Sequence, residues 1–184
     1  MLPFGPERML QRVVRLVSEV IPPAKIIVVA TRGQALPPLP SRVRVACDEH
    51  PDRGPLEGLA TGLKSIQNDA DVVYLTSCDV PLLEPAVIPR LFDLLDNFQI
   101  VIPREGEHLH PLTAVYRTSV LPYAIEQVQA DQLRLKSLLG LVAAREVPVD
   151  FLRDIDPELR TFRNLNGPDD YRTALQLAGF DTSQ

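Results

Sequence analysis

The stretch Val72-Val73-Tyr74-Leu75-Thr76-Ser77-Cys78-Asp79-Val80-Pro81 constrains the chain most. A run of apolar, β-favouring residues leads straight into a polar turn that carries one acid and closes on a proline. An uninterrupted apolar run between polar segments predicts a strand covered on both faces, as in a parallel sheet. In open α/β sheets ligands sit just beyond the carboxyl ends of the strands, and that is where Asp79 falls. Asp before Val-Pro is also good turn chemistry, so the residue reads equally as a ligand or as a turn acid.

Bulk properties narrow the class. A chain of 184 residues is most simply one domain over residues 1–184, with one sizeable core. Its 45% hydrophobic and 23% charged residues are those of a globular domain. No apolar run approaches the roughly 20 residues that span a bilayer, and no secretory signal opens the chain. The expected setting is cytoplasmic, without a membrane. A net charge of −5 argues against a nucleic-acid surface. Cys47 and Cys78 make neither a disulfide framework nor a metal knuckle, and each precedes an aspartate at a strand end. Both are expected as small, partly buried fillers.

Helix and strand patterns alternate along the chain. Leu10, Val13, Val14, Val17 and Val20 stand at helical spacing in residues 7–20, and Pro22-Pro23 ends that helix. Strands are expected at 25–30 and 43–46. A helix starting at Pro55 carries the stripe Leu56, Leu59, Leu63 and Ile66. Further helices are expected at 84–96 (flawed by Pro89), 119–129 and 132–143, and further strands at 98–102, 112–116 and 146–149. A last helix runs from Gly167-Pro168-Asp169-Asp170 to Ala178, capped at Asn166 or its neighbour and ended by Gly179. This alternation predicts an α/β fold, a Rossmann-like, doubly wound, mostly parallel sheet with helices on both faces. Such domains normally open on a strand whose βα turn cradles phosphates. This chain opens on a helix, and Met1-Leu2-Pro3-Phe4-Gly5 is too short and proline-broken to supply the strand.

The acids at strand ends are the chief chemical candidates. A carboxylate there can hold Mg²⁺, which prefers oxygen ligands and bridges substrate phosphates. A second can accept hydrogen bonds from a base or ribose, although Asp48 reads equally as a solvated loop acid. Gly54-Pro55-Leu56-Glu57-Gly58 supplies a tight turn and a helix start whose free N–H groups suit an anion or a polar base edge. His110, before Pro111, is a possible donor to an anionic substrate or simply a surface loop residue. Asn164 and Asn166 lie two apart on an extended segment and face one side, able to read a heterocycle or to brace a turn.

Taken in order, these segments resemble a molybdenum cofactor guanylyltransferase of the MobA type. The resemblance covers nearly the whole chain: Leu2-Pro3-Phe4-Gly5, Ile27-Val28-Val29 to Arg32, Asp48, Gly54-Pro55-Leu56-Glu57-Gly58-Leu59, Cys78-Asp79-Val80-Pro81, His110-Pro111-Leu112, and Phe162-Arg163-Asn164-Leu165-Asn166-Gly167-Pro168-Asp169-Asp170. It implies transfer of GMP from GTP to the molybdopterin-type cofactor, with release of pyrophosphate and with molybdoenzymes or other cofactor-biosynthesis proteins as partners. It further implies that Asp79 is the catalytic Mg²⁺ ligand and Asp48 a guanine-nucleotide contact. The turn Gly54, Pro55 and Leu56 joins the nucleotide side, while Asn164, Asn166 and His110 join the pterin side. A nucleotide-contacting asparagine of the family falls at Thr31.

The family's opening strand and its glycine-rich, lysine-ending loop are expected immediately before Met1, so the sequence reads as N-terminally truncated relative to the family. Two other readings therefore stand beside the enzyme. One is a non-catalytic member that binds the cofactor or a partner. The other is a related transferase using CTP or another nucleotide.

Overall fold

A computed structural model describes residues 2–48, 50 and 53–180. The chain begins with a small antiparallel ladder, β1 (Pro3–Phe4) and β2 (Glu7–Arg8), separate from the main sheets. It continues through α1 (Met9–Ser18), β3 (Ile27–Thr31), β4 (Arg44–Asp48), α2 (Gly54–Ile66) and β5 (Val72–Thr76). Then follow α3 (Val87–Asp93), β6 (Ile100–Glu105), β7 (His108–Leu109), β8 (Thr113–Arg117) and α4 (Leu121–Gln129), with β9 (Ala144–Pro148) and α5 (Pro168–Leu177) last.

The α/β class expected from the sequence is the one observed. Strands β3 and β4 pair in parallel, with Thr31 opposite Asp48 at their ends. The larger sheet is mixed: β8 runs antiparallel between β5 and β6, and β9 joins β6 in parallel. Helix α2 connects β4 to β5, which belong to different sheets.

Side chains alternate across β5, β6 and β8, and each face has its own helices. Ile100, Ile102, Ala114 and Tyr116 pack with Leu56, Leu59 and Leu63 of α2 and with Leu121 and Ala124 of α4. Val101, Val115 and Val147 face the other way, against Val87 and Leu91 of α3. Helix α1 covers that second side through Val13 and Val17, which meet Ile26, Val80 and Ile88. Its Leu10 and Val14 close over Val28 of β3.

Strands β3 and β5 thus lie between the same helical layers, but among the described residues no hydrogen-bonded ladder joins them. All five residues of β5 are only half-buried, whereas Ile100–Pro103 of β6 are buried. An apolar strand paired on one side only leaves its other row of N–H and C=O groups open. Amides on the unpaired side of Val72–Thr76 should therefore exchange faster than those of Ile100–Ile102 by about two orders of magnitude or more. Equal protection in the two strands, measured by hydrogen exchange, would contradict an open edge.

Several boundaries differ from expectation for local reasons. The helix expected at 132–143 is only a short 3₁₀ segment, Leu135–Gly140. Asp131 takes a left-handed φ of 58° and Arg134 is extended, which separates this segment from α4. Helix α3 begins at Val87, so Pro89 falls in its first turn, where its missing N–H costs no internal bond. Lys25 belongs to a 3₁₀ turn, and β3 starts at Ile27. The cap of α5 is Gly167, the neighbour of Asn166, as the sequence allows, and Asn166 donates its backbone N–H to Asp170 Oδ2 at 3.1 Å. Cys47 and Cys78 are exposed, not buried fillers. They sit on β4, which pairs only with β3 among the described residues, and in the turn after β5. Part of the loop between Asp48 and Gly54 lies outside the described residues.

Candidate active site

Strand ends build the site. Asp79 stands three residues beyond β5, in a turn that is tied down from two directions. The Ser77 hydroxyl donates to Asp79 Oδ1. The backbone N–H of Leu165 donates to the Asp79 carbonyl at 3.0 Å, which brings the Asn164–Asn166 segment directly against the turn. From the other direction, Arg12 of α1 donates through Nε to the Pro81 carbonyl at 2.6 Å. Its guanidinium lies 5.0 Å from the Phe4 ring and 5.4 Å from the Phe180 ring. The Asp79 carboxylate remains half-exposed and is in no ion pair among the described residues.

Asp48 occupies the end of β4, opposite Thr31. Its Oδ1 is buried without a hydrogen-bond partner among the described residues. Burial pushes this carboxyl above its ordinary range; a hydrogen bond with Thr61 opposes the shift and the nearby Glu57 adds to it. Glu57 itself is 7% exposed at its side chain, with His50 Nδ1 at 3.3 Å from its Oε1. Thr31 is exposed, and its backbone N–H donates to Gln34 Oε1. Helix α2 opens at Gly54 with a φ of 70°, a left-handed conformation that favours glycine, and Pro55 sits in the first turn. The Leu56 side chain is wholly buried in the core, which leaves only its backbone for a ligand.

The second half of the site is a pocket of about 550 Å³ whose lining includes Leu82, Glu105, His110, Phe162, Asn164 and Asn166. Both asparagines line it, as does Leu165 between them. His110 is not a surface residue: its side chain is 9% exposed. The ring packs 4.8 Å from Phe162 and 4.7 Å from His108, centroid to centroid. Burial, then the neighbouring His108, lowers its pKa, against an opposing pull from Glu105.

The structure therefore brings Asp79, Asn164, Asn166 and His110 to one region, and pairs Thr31 with Asp48 at the ends of β3 and β4. Sequence reasoning missed Glu57 and Thr61 as neighbours of Asp48, although their four-residue spacing on α2 puts them on one helix face. It also missed Glu105, His108 and Phe162. Only the β6–β7 turn and the fold-back of the C-terminal segment make these three neighbours of His110.

Mg²⁺ fits the donor set. Among the described residues, no three His, Cys, Asp or Glu side chains group as a metal cage. A single half-exposed carboxylate suits an ion that takes one or two protein carboxylates and completes its shell with phosphate and water.

The chain is similar to several known proteins. A probable molybdenum cofactor guanylyltransferase of Methanosarcina mazei is 32% identical over 181 residues, covering 92% of this chain and 76% of the relative. One of the same name from Chloroflexus aggregans is 30% identical over 174 residues, covering 93% and 81%. Among solved structures, molybdopterin-guanine dinucleotide biosynthesis protein A of Archaeoglobus fulgidus superposes with a TM-score of 0.67 at 23% identity, covering 74% of this chain and 69% of that one. The 2-C-methyl-D-erythritol 4-phosphate cytidylyltransferase of Thermus thermophilus superposes with a TM-score of 0.69 at 15% identity, covering 97% and 92%. The fold is that of the Rossmann-like nucleotidyltransferases, and this is the class of enzyme to which the protein belongs. Residues 1–149 match the MobA-like NTP transferase domain, and the chain is a member of that family.

Proposed function

We propose that the protein transfers GMP from GTP to the phosphate of a molybdopterin-type cofactor. A terminal phosphate oxygen of the pterin attacks the α-phosphorus of GTP, the bond from that phosphorus to the β-phosphate bridging oxygen breaks, and pyrophosphate leaves. The names of the relatives support both substrates. The observation that carries the reading is the Leu165–Asp79 backbone hydrogen bond, which ties the turn bearing Asp79 to the segment whose Asn164 and Asn166 line the pocket with His110.

Each group has a role in this reading. Asp48 and Thr31, with the backbone at Gly54, Pro55 and Leu56, hold the guanine nucleotide. The unpartnered Asp48 oxygen is an acceptor for base or ribose donors. Asn164, Asn166 and His110 orient the pterin so that its phosphate meets the α-phosphorus, and most of the rate advantage comes from this positioning. Mg²⁺, when bound at Asp79, neutralises charge on the transferring phosphoryl group.

Isothermal titration with GTP and CTP in the presence of Mg²⁺, followed by turnover with molybdopterin, tests the assignment. GTP should bind at least about tenfold more tightly than CTP, since a site built to hydrogen-bond one base rejects its poor matches strongly. Preference for CTP would reassign the nucleotide. Tight GTP binding without any transfer to the pterin would favour a non-catalytic binding member.

A further inference from the structure

The pocket beside Asp79 also holds Glu105 and His108, which lie next to His110 and have no role so far. Glu105 ends β6 and His108 begins β7, and the two are cross-strand partners at the mouth of the pocket. His110 is fixed behind them by its backbone N–H to the Pro103 carbonyl at 2.9 Å and by the rings of His108 and Phe162. Its Nε2 lies 3.6 Å from Glu105 Oε2, beyond hydrogen-bond distance, and is buried with no hydrogen-bond partner among the described residues. A buried ring nitrogen without a partner is destabilising, so a ligand that supplies the partner binds more tightly for it.

We propose that Glu105 and His110 together read the 2-amino-4-oxo edge of the pterin ring and so determine acceptor specificity. That edge presents two adjacent N–H donors, on N3 and the 2-amino group, beside one carbonyl acceptor. An ionised carboxylate offers two acceptor oxygens that match the donors, as Glu105 does at the open end of the pocket. A neutral imidazole carrying its proton on Nε2 offers the one donor that the carbonyl needs. Burial of His110 and the adjacent His108 favour that neutral form. Phe162 supplies an aromatic wall for the heterocycle. Rejection of a wrong ring follows from the same geometry, because an oxo group in place of the 2-amino group would set an acceptor against the Glu105 carboxylate.

The inference rests on placing the pterin in this pocket, so its test uses binding alone and no turnover. Fluorescence titration of the full chain with 6-hydroxymethylpterin is compared with titration by 6-hydroxymethyllumazine, which carries oxygen in place of the 2-amino group. Wild type should prefer the pterin by about tenfold or more, a factor that one lost charged hydrogen bond supports. Glu105→Gln, at an exposed position, should erase most of that preference while leaving Mg²⁺–GTP affinity unchanged. His110→Leu should weaken both rings without changing GTP affinity, and its melting temperature checks that it folds. Pterin binding and discrimination equal to wild type in Glu105→Gln would overturn the inference, yet leave GMP transfer to a pterin bound in another orientation intact. Loss of GTP affinity in the same variant would place guanine, which shares this edge, in the pocket instead, and would overturn the pterin assignment. No saturable pterin binding by wild type would also overturn the inference, while transfer of GMP to molybdopterin by the same preparation would show that the proposed reaction survives it.

Discussion

Asp79→Asn should abolish nucleotidyl transfer and leave the fold standing. The asparagine keeps a carbonyl oxygen that can accept from Ser77, and the backbone carbonyl that receives the Leu165 N–H is untouched. What it loses is the full negative charge on which Mg²⁺ binding at this strand end depends in the proposed reaction. Removing one electrostatic contact to a developing transition state commonly lowers kcat by about 10²–10³-fold, and loss of an ion ligand should reach at least that range. The change should appear in kcat with an unchanged melting temperature. Activity near that of wild type would remove Asp79 from the reaction.

Asp156→Ala should lower stability strongly. Asp156 is 4% exposed and makes no ion pair among the described residues. Its Oδ1 accepts the Arg160 N–H and its Oδ2 the Thr161 N–H, both at 2.9 Å. Thr161 is fully buried, and its hydroxyl oxygen accepts the Glu84 N–H at 3.0 Å. The carboxylate thereby fastens the C-terminal segment to the residues that follow Asp79. Alanine would leave two N–H groups without acceptors, each at about 1–3 kcal/mol, for an expected loss of about 3 kcal/mol. At about 2–4 °C per kcal/mol for a chain of this size, the melting temperature should fall by about 6–12 °C. Asp156→Asn, which retains one acceptor oxygen in this place, should fall between the two. A melting curve for the alanine variant within a degree of wild type would show that these bonds contribute nothing net.

The part of the fold that could be read in advance follows from local chemistry. Apolar spacing in α1 and α2, the unbroken run of β5, and the Gly-Pro helix starts each report a period or a backbone restriction carried by neighbouring residues. Those signals located the strand ends, and with them Asp48 and Asp79. Where local signals compete, they failed. The apolar residues between Leu133 and Val142 fit a helical period, yet this segment makes only a short 3₁₀ stretch, because Asp131 and Arg134 leave helical geometry and the tertiary packing of Leu135 and Leu138 fixes the path.

The sequence alone carried the α/β class, the positions of helices such as α1 and α2 and of strand β5, and the family, because each depends on periodicity or on motifs contiguous in the chain. It also determined that one acid follows the apolar strand Val72–Thr76. What surrounds that acid depends on contacts between distant parts of the chain. Leu165 lies 86 positions from Asp79 in the chain but within one hydrogen bond of it in space. Glu105, His110 and Phe162 meet only when the β6–β7 turn and the C-terminal segment converge on one pocket. No short-range pattern encodes such a meeting, since it depends on the summed packing of both faces of the sheet.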